Sequence, residues 1–209
     1  LILPIIGVLD SDRARQLTQA LTVPEFEGFD RGNTPGIPMS MTTMTRYEDD
    51  LPVFNWLREG APERRSCIEA QVMDLADDIS YSVHDVEDAI VAGRVQLKWM
   101  ENPDHRSRVI GYTQQWYLPH SDPAEVDAAL SRLQASGVWV PEADGSRRAM
   151  AALKDMTSQL IGRFCSSALE ATRSIYGPDS LTRYAAELVV PQETVIEIAV
   201  MKGLATTFV

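Results

Sequence analysis

At 209 residues the chain is long enough for one domain with a substantial core. A formal net charge of −11 and a pI near 4.7 exclude an undirected nucleic-acid-binding surface, leaving only a local basic pocket as a place to hold a polyanion. No apolar run approaches the ~20 residues that span a bilayer. The two cysteines, Cys67 and Cys165, sit in helical patterns and suit buried thiols in a reducing cytosol, so a cytoplasmic protein is expected.

Residues 1–45 read as an N-terminal arm and loop. The first nine are rich in Leu and Ile but broken by Pro4 and Gly7, and they are too short and lack the basic start of a signal peptide. Asp10 or Ser11 is placed to cap a helix running to about Leu21. Residues 30–45, rich in Gly, Pro, Thr and Met without a period, form a loop. The next segment, 46–92, opens with 47–60, whose aromatic spacing predicts a short packing helix.

From Cys67 to Ala92 the chain contains neither proline nor glycine and sorts cleanly at ~100° per residue. Ile68, Val72, Leu75, Ala76, Ile79, Val83, Val86 and Ile90 fall on one side. Asp74, Asp77, Asp78, Tyr81, Asp85 and Asp88 fall on the other, with His84 beside them, so an amphipathic helix is predicted. Solvated helix faces usually mix signs, whereas five aspartates crowd this one without a Lys or Arg. Aspartate is a weak helix former, and like charges at these spacings repel. A metal ion or the basic groups around a phosphate would offset that cost; the alternative is a solvated acidic face on an acidic protein.

Residues 93–209 form a C-terminal helical region. Gly93 or Asn102-Pro103 is expected to end the preceding helix, and Trp99, Tyr112, Trp116 and Tyr117 cluster in helix turns and loop. Asp122 caps a helix with Pro123 in its first turn, Gly137 after its end, and Val126, Ala129, Leu130 and Leu133 as its inner stripe. A long helical pattern covers 147–176 and stops at Gly177-Pro178. Residues 188–190 read as a brief extended piece. A last helix starts at Pro191 with Val195, Ile198, Ala199, Met201 and Leu204 inward. Within it, Lys202 sits among apolar residues and either snorkels or faces a ligand site. The expected class is all-α, a single helical domain.

Asp77, Tyr81 and Asp85 stand at i, i+4 and i+8 on one stripe. The stretch Glu69-Ala70-Gln71-Val72-Met73-Asp74-Leu75-Ala76-Asp77-Asp78-Ile79-Ser80-Tyr81-Ser82-Val83-His84-Asp85-Val86-Glu87-Asp88 resembles the signature helix of the deoxyguanosine triphosphate triphosphohydrolases, members of the HD superfamily. Residues 47–60 resemble the actinobacterial branch of that family, and residues 181–205 its C-terminal region. The resemblance implies an HD-domain-like helical bundle, present in part, with a C-terminal helical extension. It implies metal-dependent hydrolysis of deoxynucleoside triphosphates to deoxynucleoside and inorganic triphosphate, with Mn²⁺, Mg²⁺ or Fe²⁺ as cofactor and a homo-oligomeric assembly. Asp77 matches the last metal ligand; Tyr81 and Asp85 match residues that line the substrate pocket.

The family's other metal ligands, a histidine and an adjacent His-Asp pair, precede the signature helix. Of the three histidines, His84, His105 and His120, none does so. His84-Asp85 is such a dipeptide in letters but occupies the place of substrate-pocket residues. Three readings stand: a triphosphohydrolase whose remaining ligands lie outside this chain, a metal-deficient nucleotide-binding or oligomer-forming relative, and a helical interaction domain with a solvated stripe. Arg58, Arg64 and Arg65 precede the helix and either reach phosphate oxygens or neutralise the acidic surface.

Overall fold

A computed structural model describes residues 51–62 and 65–208. The expected arm, its capped helix and the loop of 30–45 lie outside the described residues, as does Arg64. The described residues form α-helices and a 3-10 turn and contain no strand, in agreement with an all-α class. The helices are α1 (Leu51–Leu57), α2 (Ile68–Val91), α3 (Pro103–Trp116), α4 (Pro123–Gln134), α5 (Arg147–Tyr176) and α6 (Gln192–Phe208). The 3-10 turn, Leu97–Glu101, precedes α3.

Local chemistry sets most of the boundaries. Helix α2 stops at Gly93, whose φ of +70° is free of strain only without a Cβ. There Gly93 N–H donates to Ile90 and Arg94 N–H to Ala89, which satisfies two terminal carbonyls. Asn102-Pro103, expected to be a stop, is a start. The Asn102 side chain accepts the Asp104 N–H at 2.9 Å and Pro103 occupies the first turn, where a missing N–H costs nothing. Of the aromatic cluster expected in helix turns and loop, Tyr112 and Trp116 lie in the 14-residue helix α3, Tyr117 at its end and Trp99 in the 3-10 turn before it. Asp122 caps α4 in the same way, and Ser146 caps α5, which ends at Gly177 with φ +76°.

Helix α6 organises the rest. It is apolar around almost its whole circumference, with Ile196, Ile198, Ala199, Val200, Met201, Leu204 and Ala205 all buried. A helix of that kind belongs in the middle of a bundle. It packs most extensively on α2 and α3 and also meets α4 and α5. Phe164, Leu160 and Met156 of α5, Leu130 and Leu133 of α4, and Ile79 and Val83 of α2 close the core around it. Ile68, Val72, Val86 and Ile90 are also buried and Leu75 and Ala76 partly so, as the periodicity of α2 predicts. Two expectations change. Cys67 is only half-buried, although Cys165 is buried. In α1, Trp56 is 64% exposed and packs on little among the described residues.

One charged residue sits inside this apolar helix. Glu197 is 2% exposed, and its carboxylate accepts from Arg132 Nε of α4 at 2.8 Å and Arg163 Nη2 of α5 at 2.7 Å. Burying a lone carboxylate is prohibitive, so the two guanidinium groups make this position tolerable. Six residues along, Gly203 lies flat on α3. A Cβ there would fall 1.9 Å from Thr113 Oγ1 and 3.2 Å from Thr113 Cα. Thr113 cannot simply swing away, because it is fully buried and its hydroxyl donates to Val109 O at 2.8 Å. Gly203→Ala is expected to destabilise the protein by ~1–3 kcal/mol in urea titrations, through overpacking. Adding Thr113→Ala should recover part of that loss, giving a non-additive double-mutant cycle.

Candidate functional site

The start of α2 is held from far along the chain. Cys67, at the N-terminal boundary, supplies no side-chain cap. Instead Ile68 N–H donates to Arg183 O at 2.8 Å, and Arg183 N–H donates to the Glu69 carboxylate at 2.9 and 3.0 Å. Arg183 meets both with a left-handed backbone, φ 53°. Gln71 adds a third tie, its Oε1 accepting the Leu188 N–H at 2.9 Å. The loop of residues 181–188 thereby fixes where α2 begins and how its face is turned.

That face carries the stripe. Asp74, Asp77, Asp78, Asp85 and Asp88 are exposed, and Tyr81 is 64% exposed beside them. Asp77, Tyr81 and Asp85 follow one another along the outer side of a continuous helix, as their spacing predicts. The crowding has an electrostatic signature. Partial burial, then the charges of Asp78 and Asp77, push the Asp74 carboxyl above the usual aspartate range.

The cation missing from α2 comes from α6. Lys202 Nζ lies 2.7 Å from Asp78 Oδ1 and 5.7 Å from the centre of the Tyr117 ring at the end of α3. Tyr117 in turn shares a hydrogen bond with Thr206 at 2.6 Å.

His84 turns towards the interior edge of the helix, its Nδ1 3.8 Å from Glu87 Oε2. Glu87 is 1% exposed; it accepts from the Thr157 hydroxyl at 2.6 Å and pairs with Lys154 Nζ at 2.5 Å, both on α5. Burial alone would raise this carboxyl, but the hydrogen bonds from Lys154 and Thr157 outweigh it and hold it below the usual glutamate range.

The arginines before α2 have structural partners. Arg58 donates to the carbonyls of Arg65 and Pro62 and lies over the Tyr184 ring, and Arg65 Nε is 2.8 Å from Glu187. They bind the approach to α2 onto the 181–188 loop. Sequence reasoning passed over Glu87 and Glu197. Their signal was available: a single acid in an apolar stripe, with basic residues on another predicted helix.

A divalent ion needs several ligands converging on one point. Among the described residues no group of three or more His, Cys, Asp and Glu side chains is arranged to hold one. Asp77 offers a single carboxylate, so these residues do not make a metal centre by themselves. No helix among them is long and apolar enough to cross a membrane.

Comparison with known proteins supplies the family. The chain is 52% identical over 180 residues to a deoxyguanosinetriphosphate triphosphohydrolase-like protein of Streptomyces coelicolor, covering 86% of this chain and 42% of that protein. A protein of the same name from Bifidobacterium longum is 45% identical over 163 residues, 78% of this chain and 34% of the relative. This chain belongs to the deoxyguanosinetriphosphate triphosphohydrolase-like family. A further triphosphohydrolase-like relative, from Corynebacterium glutamicum, is 36% identical over 172 residues, or 78% of this chain and 38% of its own length. The chain thus spans about two fifths of the length of these relatives.

Over 42 residues, 20% of the chain, a 2,3-bisphosphoglycerate-independent phosphoglycerate mutase from Prochlorococcus marinus is 60% identical; this covers 7% of the mutase and carries no argument about function. No family model matches the chain. No solved structure matches it.

Two substitutions on α2 should act in opposite directions. The raised carboxyl of Asp74 means that its charged form opposes folding, a cost that grows as pH rises through its titration. Asp74→Asn is therefore expected to stabilise the triphosphohydrolase-like chain by up to ~0.5 kcal/mol at pH 7, the gain vanishing in acid. Glu87, with its depressed carboxyl, contributes stability above the usual glutamate range and loses it as pH falls through its folded value. Glu87→Gln should cost ~2 kcal/mol at neutral pH, with the difference from the parent narrowing in acid. Denaturant titrations across pH 3–8 check both.

Proposed function

We propose that this chain contributes the substrate-side helix of a metal-dependent deoxynucleoside triphosphate triphosphohydrolase. The observation that carries the reading is the stripe Asp77, Tyr81 and Asp85. It lies on an exposed helical face, in the residue order of the family's signature helix, in a chain whose relatives are named for that activity. In this reading Asp77 gives one carboxylate to the metal, and the other ligands come from outside the described residues. Tyr81 packs on the nucleotide and Asp85 accepts from its sugar. The substrate is a deoxynucleoside triphosphate of the dGTP kind, the working protein is a homo-oligomer in the cytoplasm, and the ion is Mn²⁺, Mg²⁺ or Fe²⁺.

A second reading is favoured by one observation, the lack of a converging ligand set among the described residues. Here the chain binds nucleotide, or forms oligomers, without turning substrate over. Incubating the full-length protein with each deoxynucleoside triphosphate and Mn²⁺, and measuring inorganic triphosphate, separates the two. Release of triphosphate with a bound ion supports hydrolysis; nucleotide binding with neither ion nor product supports the second reading.

On the first reading, Asp77→Ala should lower triphosphate release by about a hundredfold or more with helical content unchanged. Full activity in that variant would remove Asp77 from the metal site. Tyr81→Ala should raise KM by about tenfold with metal content intact, checked by steady-state kinetics alongside metal analysis.

A further inference from the structure

The aspartate face of α2 has no basic residue of its own, yet a triphosphate approaching Asp77 and Tyr81 brings further negative charge to a surface already rich in it. The structure places one compact cation at that spot. Lys202 is the single basic residue in the α6 sequence, on a helix whose middle is buried among apolar side chains. Its ammonium is 2.7 Å from Asp78, the residue next to Asp77 and three before Tyr81. It therefore sits within about one helical turn of the stripe.

Its placement is held from both sides. Gly203, the next residue, lies flat against Thr113, so α6 cannot shift relative to α3 at this level. Tyr117, one turn beyond Thr113, offers its ring to the ammonium at 5.7 Å and is itself tied to Thr206. The lysine stem is largely covered, its side chain 24% exposed, while Asp78 is 58% exposed. A lysine with nothing to reach would turn its head fully into water. An ammonium has three donors, and Asp78 takes one of them.

We infer that Lys202 is a substrate-contact residue, which holds the polyphosphate of the incoming nucleotide against the α2 stripe and rests on Asp78 when no nucleotide is bound. This rests on the triphosphohydrolase reading. It assigns to α6 the phosphate-binding charge that α2 lacks. Asp78 then acts as a competitor, occupying the ammonium and repelling phosphate.

That competition gives an experiment with opposite signs. The full-length protein and its Lys202→Gln, Lys202→Arg and Asp78→Asn variants are titrated with inorganic triphosphate and with a deoxynucleoside triphosphate, and melting curves are recorded in parallel. The expected result is about a tenfold loss of affinity for both ligands in Lys202→Gln, with partial recovery in Lys202→Arg. Asp78→Asn, which frees the ammonium, should bind both more tightly. If Lys202→Gln and Asp78→Asn weaken binding alike, or neither changes it, the pair is a structural link and the inference fails, while the proposed activity stands. If the parent protein binds neither ligand, the activity and the inference fail together.

Discussion

The burial of α6 is the constraint on which the other helices depend. A helix that is apolar on nearly every side has no stable place at a surface, so α2, α3, α4 and α5 must enclose it. Two of its residues set the terms of that enclosure. Gly203 permits backbone-to-backbone approach to α3, and Glu197 requires guanidinium groups from α4 and α5. The position of Lys202 follows from this arrangement, since it stands next to Gly203 and about one and a half turns beyond Glu197.

Much of this was legible in the residues alone. The apolar period of α2, the Asp122 cap of α4 and the run of residues that became α5 needed only local chemistry. Asn102-Pro103 was misread because the same dipeptide serves at either end of a helix; only the side-chain bond to Asp104 decides between them. The partners of the buried acids were not legible for a different reason. Glu87 meets Lys154 and Thr157 about 70 positions away, and Glu197 meets arginines on two other helices. Periodicity locates a face but says nothing about which distant side chain lies against it. The stripe of Asp77, Tyr81 and Asp85 was readable as geometry, and its meaning came from resemblance.

The acidic face and its supports form a layered arrangement. On the outside, partial burial and then the neighbouring charges of Asp78 and Asp77 push the Asp74 carboxyl upward. Beneath them Ile79, Val83 and Val86 provide an apolar floor that keeps α2 from fraying under this repulsion. At its start, Arg183 and Leu188 hold the first turns through Glu69 and Gln71. Helix α2 therefore tolerates a charge pattern that a free peptide of the same sequence would resist, because its stability is supplied by tertiary packing.

Both interior carboxylates are answered by one helix. Lys154 and Thr157 of α5 serve Glu87, and Arg163 of the same helix serves Glu197. Lys154 and Arg163 are separated by about 13 Å along the axis, at a rise of ~1.5 Å per residue. Greasy surfaces alone would let a 30-residue rod slide by a turn and repack. Here a slip of one turn, about 5.4 Å, would take both α5 partners from Glu87 and leave Glu197 with Arg132 alone. The ionic contacts thus act as a pair of pins that admit a single alignment of the longest helix, whatever they add to stability.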